Sequence, residues 1–200
     1  MKLRLGPLPE VPEFTPDDSW ILVHEPSLLG FQLRAVPIAV VMTAFIAVLW
    51  LLLTPVKHSI GALTFPLPVF NFIVCLLGVI VVHELIHASV HPKIGMSQNT
   101  VIGCWPSRMF VYTIYVGELT RNRCIAILIT PFIMISVVPL VFAAITQTGP
   151  FWVAYISILN ALLACGDLLA AIMTFRLFPN GAIIRTKGWL TFWKPRALNM

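Results

Sequence analysis

Charge is scarce in this chain. Only 10% of its 200 residues are Asp, Glu, Lys or Arg, while 58% are hydrophobic. A water-soluble domain carries roughly 25% charged residues, so an ordinary soluble protein is excluded and an integral membrane protein is expected. The four cysteines (Cys75, Cys104, Cys124, Cys165) form no CxxC pair, and no disulfide framework is implied. Three of them fall in apolar stretches, where a small buried thiol is explanation enough. An apolar signal core is also missing: Lys2 and Arg4 lead into a proline-broken, acidic stretch from Gly6 to Asp18. The N-terminal segment is therefore expected to be retained. No internal repeat or low-complexity tract is present. The formal charge of +5 does not indicate nucleic acid, because the basic residues flank the apolar windows as topology signals and headgroup contacts require.

Four of those windows are long enough to cross a bilayer, which takes about 20 apolar residues. They run from about Ala35 to Val56, Phe70 to Val90, Cys124 to Thr146 and Phe151 to Leu177. The uncharged turn Gln147-Thr148-Gly149-Pro150 makes the last two an antiparallel pair. Lys2, Arg4 and Arg34 precede the first window. Lys93, Arg108, Arg121 and Arg123 lie between the second and third, and Arg176, Arg185, Lys187, Lys194 and Arg196 end the chain. The remaining connections hold Lys57 and nothing, so both termini and the middle connection are expected on the cytoplasmic side of the cell membrane. Within that connection, Thr100–Cys104 and Met109–Val116 are rich in β-branched and aromatic residues, with Trp105-Pro106-Ser107 as a turn. A small β-hairpin over about 100–116 at the cytoplasmic membrane face is expected, an interfacial loop being the alternative. The expected organisation is an all-α membrane protein: a cytoplasmic segment 1–34, a four-span domain 35–177 and a cytoplasmic tail 178–200.

Acids are scarcer still. Of eight, only Glu84 and Asp167 fall within windows. Glu84 sits in His83-Glu84-Leu85-Ile86-His87, where an acid and two imidazoles would be costly in hydrocarbon without partners or a metal. Histidines at i and i+4 leave one helix face and can grip one zinc ion, with the glutamate beside the open position as general base. Depth brings in Asp167. Counted at 1.5 Å per residue from Phe70 and Phe151, His83–His87 and Asp167 both lie roughly 20–25 Å in. Two His nitrogens, one carboxylate oxygen and a water make an accepted catalytic zinc geometry. His91 is the competing third ligand. On an unbroken helix it stands about 12 Å from His83, no glycine breaks the helix before it, and Pro92 marks the helix end. Asn160, Ala164, Asp167 and Ala171 form a small, polar stripe that admits another helix. Asn160 could hold an extended substrate backbone or bond across helices.

On these residues the chain resembles the putative zincin peptidases, an integral-membrane family of site-2-protease-like type. The similarity rests on His83-Glu84-Leu85-Ile86-His87-Ala88, on Tyr115-Val116-Gly117-Glu118-Leu119-Thr120 and on Thr130-Pro131-Phe132. Asn160 with Gly166-Asp167, and the tail Gly188-Trp189-Leu190-Thr191-Phe192-Trp193-Lys194-Pro195, complete it over roughly residues 70–195. The resemblance implies a zinc-dependent endopeptidase working within or beside the lipid bilayer on a membrane-associated protein or peptide. It implies His83, His87 and Asp167 as Zn2+ ligands and Glu84 as the base. Site-2 proteases carry Asp-Gly in the last core helix, whereas here Gly166 precedes Asp167 and Leu168 follows, a departure that bears on Asn160 more than on Asp167. The rival reading is a divalent-metal transporter or sensor without hydrolysis, which needs the ligands but not the base. A buried cluster that only joins helices is a further alternative. Haem ligation is disfavoured because no other span contains a histidine.

Overall fold

The computed structural model describes residues 1–55 and 69–196. The expected end of the first span at Val56, with Lys57 and His58, lies outside them. Among the described residues, three helices are long and apolar enough to cross a bilayer: α1 (Leu28–Leu53), α2 (Val69–Val90) and the run Arg121–Thr146. That run comprises α3 (Arg121–Pro131), a π-helical turn (Phe132–Val137) and α4 (Val138–Thr146). The fourth expected span is not one straight helix. It is a pair, α5 (Phe151–Leu163) and α6 (Cys165–Leu177), bent by 50° at Ala164. Helices α1 and α3 also begin earlier than the apolar windows, taking in Arg34 and Arg121. A window counts residues that suit lipid, whereas backbone hydrogen bonding continues wherever a long basic side chain can reach water.

The hairpin is there, but it is not the only β structure. Strand β1 (Lys2–Leu5), β3 (Thr100–Trp105) and β4 (Phe110–Tyr115) form a three-stranded sheet in the order β1-β3-β4, with β1 parallel to β3. Strands β2 (Ile21–Val23), β5 (Leu119–Thr120), β6 (Ile183–Lys187) and β7 (Leu190–Lys194) form a second sheet, order β2-β7-β6-β5. Three-residue and two-residue strands such as β2 and β5 carry no period of their own. They exist because the tail hairpin β6–β7 offers them an edge.

The chain divides into two units. The unit formed by Gly30–His83 and Ile129–Leu169 is helical. Its core joins Ile46 and Trp50 of α1 to Phe132, Leu140 and Ala143 and to Ala154, Ala161 and Ala164. The three alanines of α5 and its end are completely buried, as small residues are where helices approach closely in lipid. Polar groups here are satisfied inside the protein: Trp50 Nε1 donates to Ser157 Oγ at 2.9 Å, while Ser136 and Ser157 each donate to the other's carbonyl at 2.8 Å. A segment in hydrocarbon, where water is absent, would require such internal pairing.

The unit formed by Met1–Leu29, Glu84–Leu128 and Ala170–Met200 holds both sheets. Val11, Phe14 and Phe192 make one small core and Phe178, Ala182 and Ile184 another. Buried Arg121, at the start of α3, donates to the Phe175 carbonyl and to Asn180 Oδ1, closing the turn between α6 and β6. In the first sheet the Tyr112 ring lies across Gly103, its registered neighbour, and its hydroxyl donates to the Gly6 and Pro7 carbonyls at 3.2 and 3.0 Å. A Cβ at position 103 would stand 2.3 Å from Tyr112 Cζ. Gly103→Ala is therefore expected to lower thermal stability in detergent by about 1–3 kcal/mol, the usual cost of overpacking. Protection of the β1 amides from exchange should fall with it, because the displaced tyrosine anchors that segment.

Candidate metal centre

Helix α2 carries His83 and His87 one turn apart on the same face, and both are buried. The Nδ1–H of His87 donates to the carbonyl of Ile127 at 2.9 Å. That carbonyl is available for a local reason. Pro131, four residues later in α3, has no N–H to return the helical hydrogen bond. His83 is held from the other direction. Its Nδ1–H donates to Asn160 Oδ1 at 2.9 Å. The orientation of that amide is set by its own hydrogens, which go to the Pro131 carbonyl at 3.2 Å and to Ser136 Oγ at 2.9 Å. Proline and the π-helical turn after it thus support both imidazoles, one directly and one through Asn160.

Asp167 reaches the site from the bend in the last span. Helix α5 ends at Leu163, α6 begins at Cys165, and Asp167 stands in the first turn of α6, where a helix N-terminus favours a carboxylate. Its Oδ2 is 2.8 Å from His83 Nε2. With Nδ1–H committed to Asn160, a neutral His83 presents a lone pair at Nε2, and the carboxylate oxygen facing it is also an acceptor. The pair is satisfied by a second proton on the ring or by a cation. His83, His87 and Asp167 each offer one ligand atom, and these atoms lie within 4.8 Å of one another. Both histidines have Nδ1 tied to an oxygen acceptor, the arrangement that fixes tautomer and ring direction around protein-bound zinc. Two imidazoles and one carboxylate fit the ion by donor chemistry as well. The three residues are thus suited to hold zinc.

Glu84 is half-buried on α2, immediately after the first histidine, and its carbonyl accepts a hydrogen bond from Thr113 Oγ1 of β4 at 3.2 Å. His91 is elsewhere. It is buried beyond the end of α2, with Nδ1 3.3 Å from Thr100 Oγ1 and its ring edge-on to Tyr115. There it lines a cavity of about 200 Å3 together with Glu25, Cys124 and Thr191. Burial pushes its pKa down to about 4. It is not a member of the donor group. Neither the Ile127 carbonyl nor Ser136 stands out in the sequence as part of a site. A proline inside an apolar window is the signal for the first, since it announces an idle carbonyl four residues earlier; a lone serine carries no such signal.

Asn160→Leu, which keeps volume and removes the acceptor, is expected to weaken zinc binding about 10–100-fold, as loss of such a supporting partner typically does. Competition against a chelating dye of known affinity would measure it. Unchanged affinity would mean that His83 needs no support from α5.

Residues 76–183 match the family described as putative zincin peptidase, a stretch that takes in His83, Glu84, His87, Asn160 and Asp167. No curated protein and no solved structure matches the chain significantly. Because that stretch is more than half of the 200 residues, the chain belongs to the putative zincin peptidase family.

Proposed function

We propose that this protein is a zinc-dependent endopeptidase that cuts peptide bonds within or beside the membrane. The observation that carries the reading is the donor group: two imidazoles with Nδ1 committed elsewhere and a carboxylate 2.8 Å from one of them, on apolar helices. His83, His87 and Asp167 are the proposed ligands. When bound, zinc supplies a Lewis acid that brings the pKa of water toward about 7 and polarises a carbonyl. Glu84 takes one proton from the attacking water as its oxygen bonds to the scissile carbon. It delivers that proton to the amide nitrogen as the C–N bond breaks, leaving a carboxylate and an amine. Asn160 acts on His83 and has no hydrogen left for a substrate, since both are given to Pro131 and Ser136.

Strand β4 supplies a place for an extended chain. Among the described residues it pairs on one side only, with β3, and Thr113 in it is bonded to the backbone of Glu84. A substrate added along β4 as a strand lies next to the residue that would handle the proton. We place the termini and the connection between α2 and α3 on the cytoplasmic side, where water reaches the site.

The test is direct. Purified protein in lipid vesicles is expected to hold about one zinc per chain and to cleave an unstructured membrane-tethered peptide. A strong chelator should abolish cleavage and added zinc restore it. Cleavage that persists without zinc, or a full zinc complement with no cleavage across a broad peptide library, would defeat the proposal. The second result would favour a metal carrier or sensor.

A further inference from the structure

Five large apolar side chains on the sheet-bearing unit, none of them in a helix long enough to span, are almost fully outward. Leu3 and Leu5 are each 79% exposed, Ile94 is 74%, Met96 is 83% and Met109 is 95% exposed. Two of them are held out by the backbone. Met109 has a φ of +48°, and Ile94 has +54° immediately after Lys93 at +58°. The left-handed region is rare for any side chain and a true outlier for a β-branched one. The turn closes on Gly95, where a Cβ would stand 2.6 Å from the Ala88 carbonyl. A soluble surface gains nothing from strain that keeps an isoleucine in water.

The register supplies the rest. Leu3 pairs with Ile102 and Leu5 with Cys104, and Cys104 pairs with Val111. These five side chains therefore share one face of the sheet. They line an open groove of about 380 Å3; Arg4, also along it, pairs with Gly103 on the other face and donates Nε–H to the Pro7 carbonyl. That other face is closed by Tyr112, bonded to Gly6 and Pro7. The charges around this surface have one sign. Lys93 precedes Ile94 and Arg108 precedes Met109, while Lys2 and Arg4 alternate to the opposite, Tyr112-bearing face of the sheet. Residues 1–9 and 85–117 contain no Asp or Glu at all. The helical segments adjoining in sequence, α2 ending at Val90 and the run Arg121–Thr146, have the length and hydropathy of spans.

We propose that this leucine-bearing sheet face is a docking surface for the anionic headgroup layer of the bilayer. The apolar side chains enter the headgroup–acyl boundary, and Lys93 and Arg108, next in sequence to Ile94 and Met109, meet lipid phosphates. Exposed apolar side chains with cations nearby in the chain, in stretches that hold no carboxylate, are the composition that interfacial binding requires. N-terminal strand β1 is then part of the surface rather than a free end, because it carries two of its leucines.

Photo-crosslinking on the full-length protein tests this. A benzophenone amino acid is placed at Leu5 or at Met109, with Glu13 as an exposed control, and the protein is reconstituted in equimolar phosphatidylcholine and phosphatidylglycerol. Lipid adducts read by mass spectrometry are expected at positions 5 and 109 and not at 13. Phosphatidylglycerol should be favoured about fivefold for each basic residue close to the surface. The double variant K93Q/R108Q should lower that preference while leaving total lipid adduct at position 5 in place. Protein-sized adducts would assign the face to another copy or another protein, and adduct yields equal to those at position 13 would assign it to water. Either result overturns the proposal. Equal yields from the two lipids in the unaltered protein overturn the role of the basic residues.

Discussion

Asp167→Ala is expected to empty the metal site. Wild-type protein should retain about one zinc per chain through gel filtration, and the variant well under a tenth of that. Loss of an outer-shell partner alone costs about 10–100-fold in metal affinity, and removing a direct ligand should cost at least the upper end of that range. The carboxylate is also the group 2.8 Å from His83 Nε2, so its loss removes both a donor and the charge opposite the ring. Asp167 lies in the first turn of α6, where alanine is readily accepted, so the helix itself should survive. A thermal melt of the metal-free proteins checks that the fold is kept. Equal zinc in both proteins would break the proposed ligand set, and His91, four residues past His87, would have to be tested next.

Glu84→Gln separates hydrolysis from metal handling. The amide keeps the size and hydrogen-bonding reach of the carboxylate and cannot accept a proton. Turnover is expected to fall about 100-fold to 10,000-fold, the range for a lost general base, while zinc content stays at the wild-type value. The backbone at this position is tied by Thr113 Oγ1 to the carbonyl of residue 84 itself, a contact the substitution does not touch. KM should change little if Glu84 acts on the proton rather than on binding. Unaltered cleavage would remove Glu84 from the mechanism. Zinc loss on this substitution would instead make it a ligand.

Much of this was legible in order along the chain. The HExxH spacing puts two imidazoles on one helix face whatever surrounds them, because 3.6 residues per turn is a local property. The counts from Phe70 to His83 and from Phe151 to Asp167 give similar depths for the same reason, and in the structure those two side chains meet. The hairpin could be read from β-branched runs around Trp105-Pro106-Ser107, and β3 and β4 pair across that turn.

The bend at Ala164 and the π-helical turn after Pro131 were not legible. A proline permits several local outcomes, and which one forms depends on what Asn160 and Ser136 offer across the helices. The first strand was hidden too. Lys2–Leu5 has alternation but no partner in sequence, and only the open edge of β3, about a hundred residues away, makes it a strand.

By itself, then, the amino-acid order determined the donor types, their spacing on α2 and the apolar lengths of the helices, all of which follow from local geometry and transfer from water. The tertiary structure decided which ring nitrogen of each histidine is tied to an oxygen acceptor. That choice depends on the Ile127 carbonyl and the Asn160 amide arriving from other helices. Hydrogen bonds across helices are set by packing, and no count along the chain contains them.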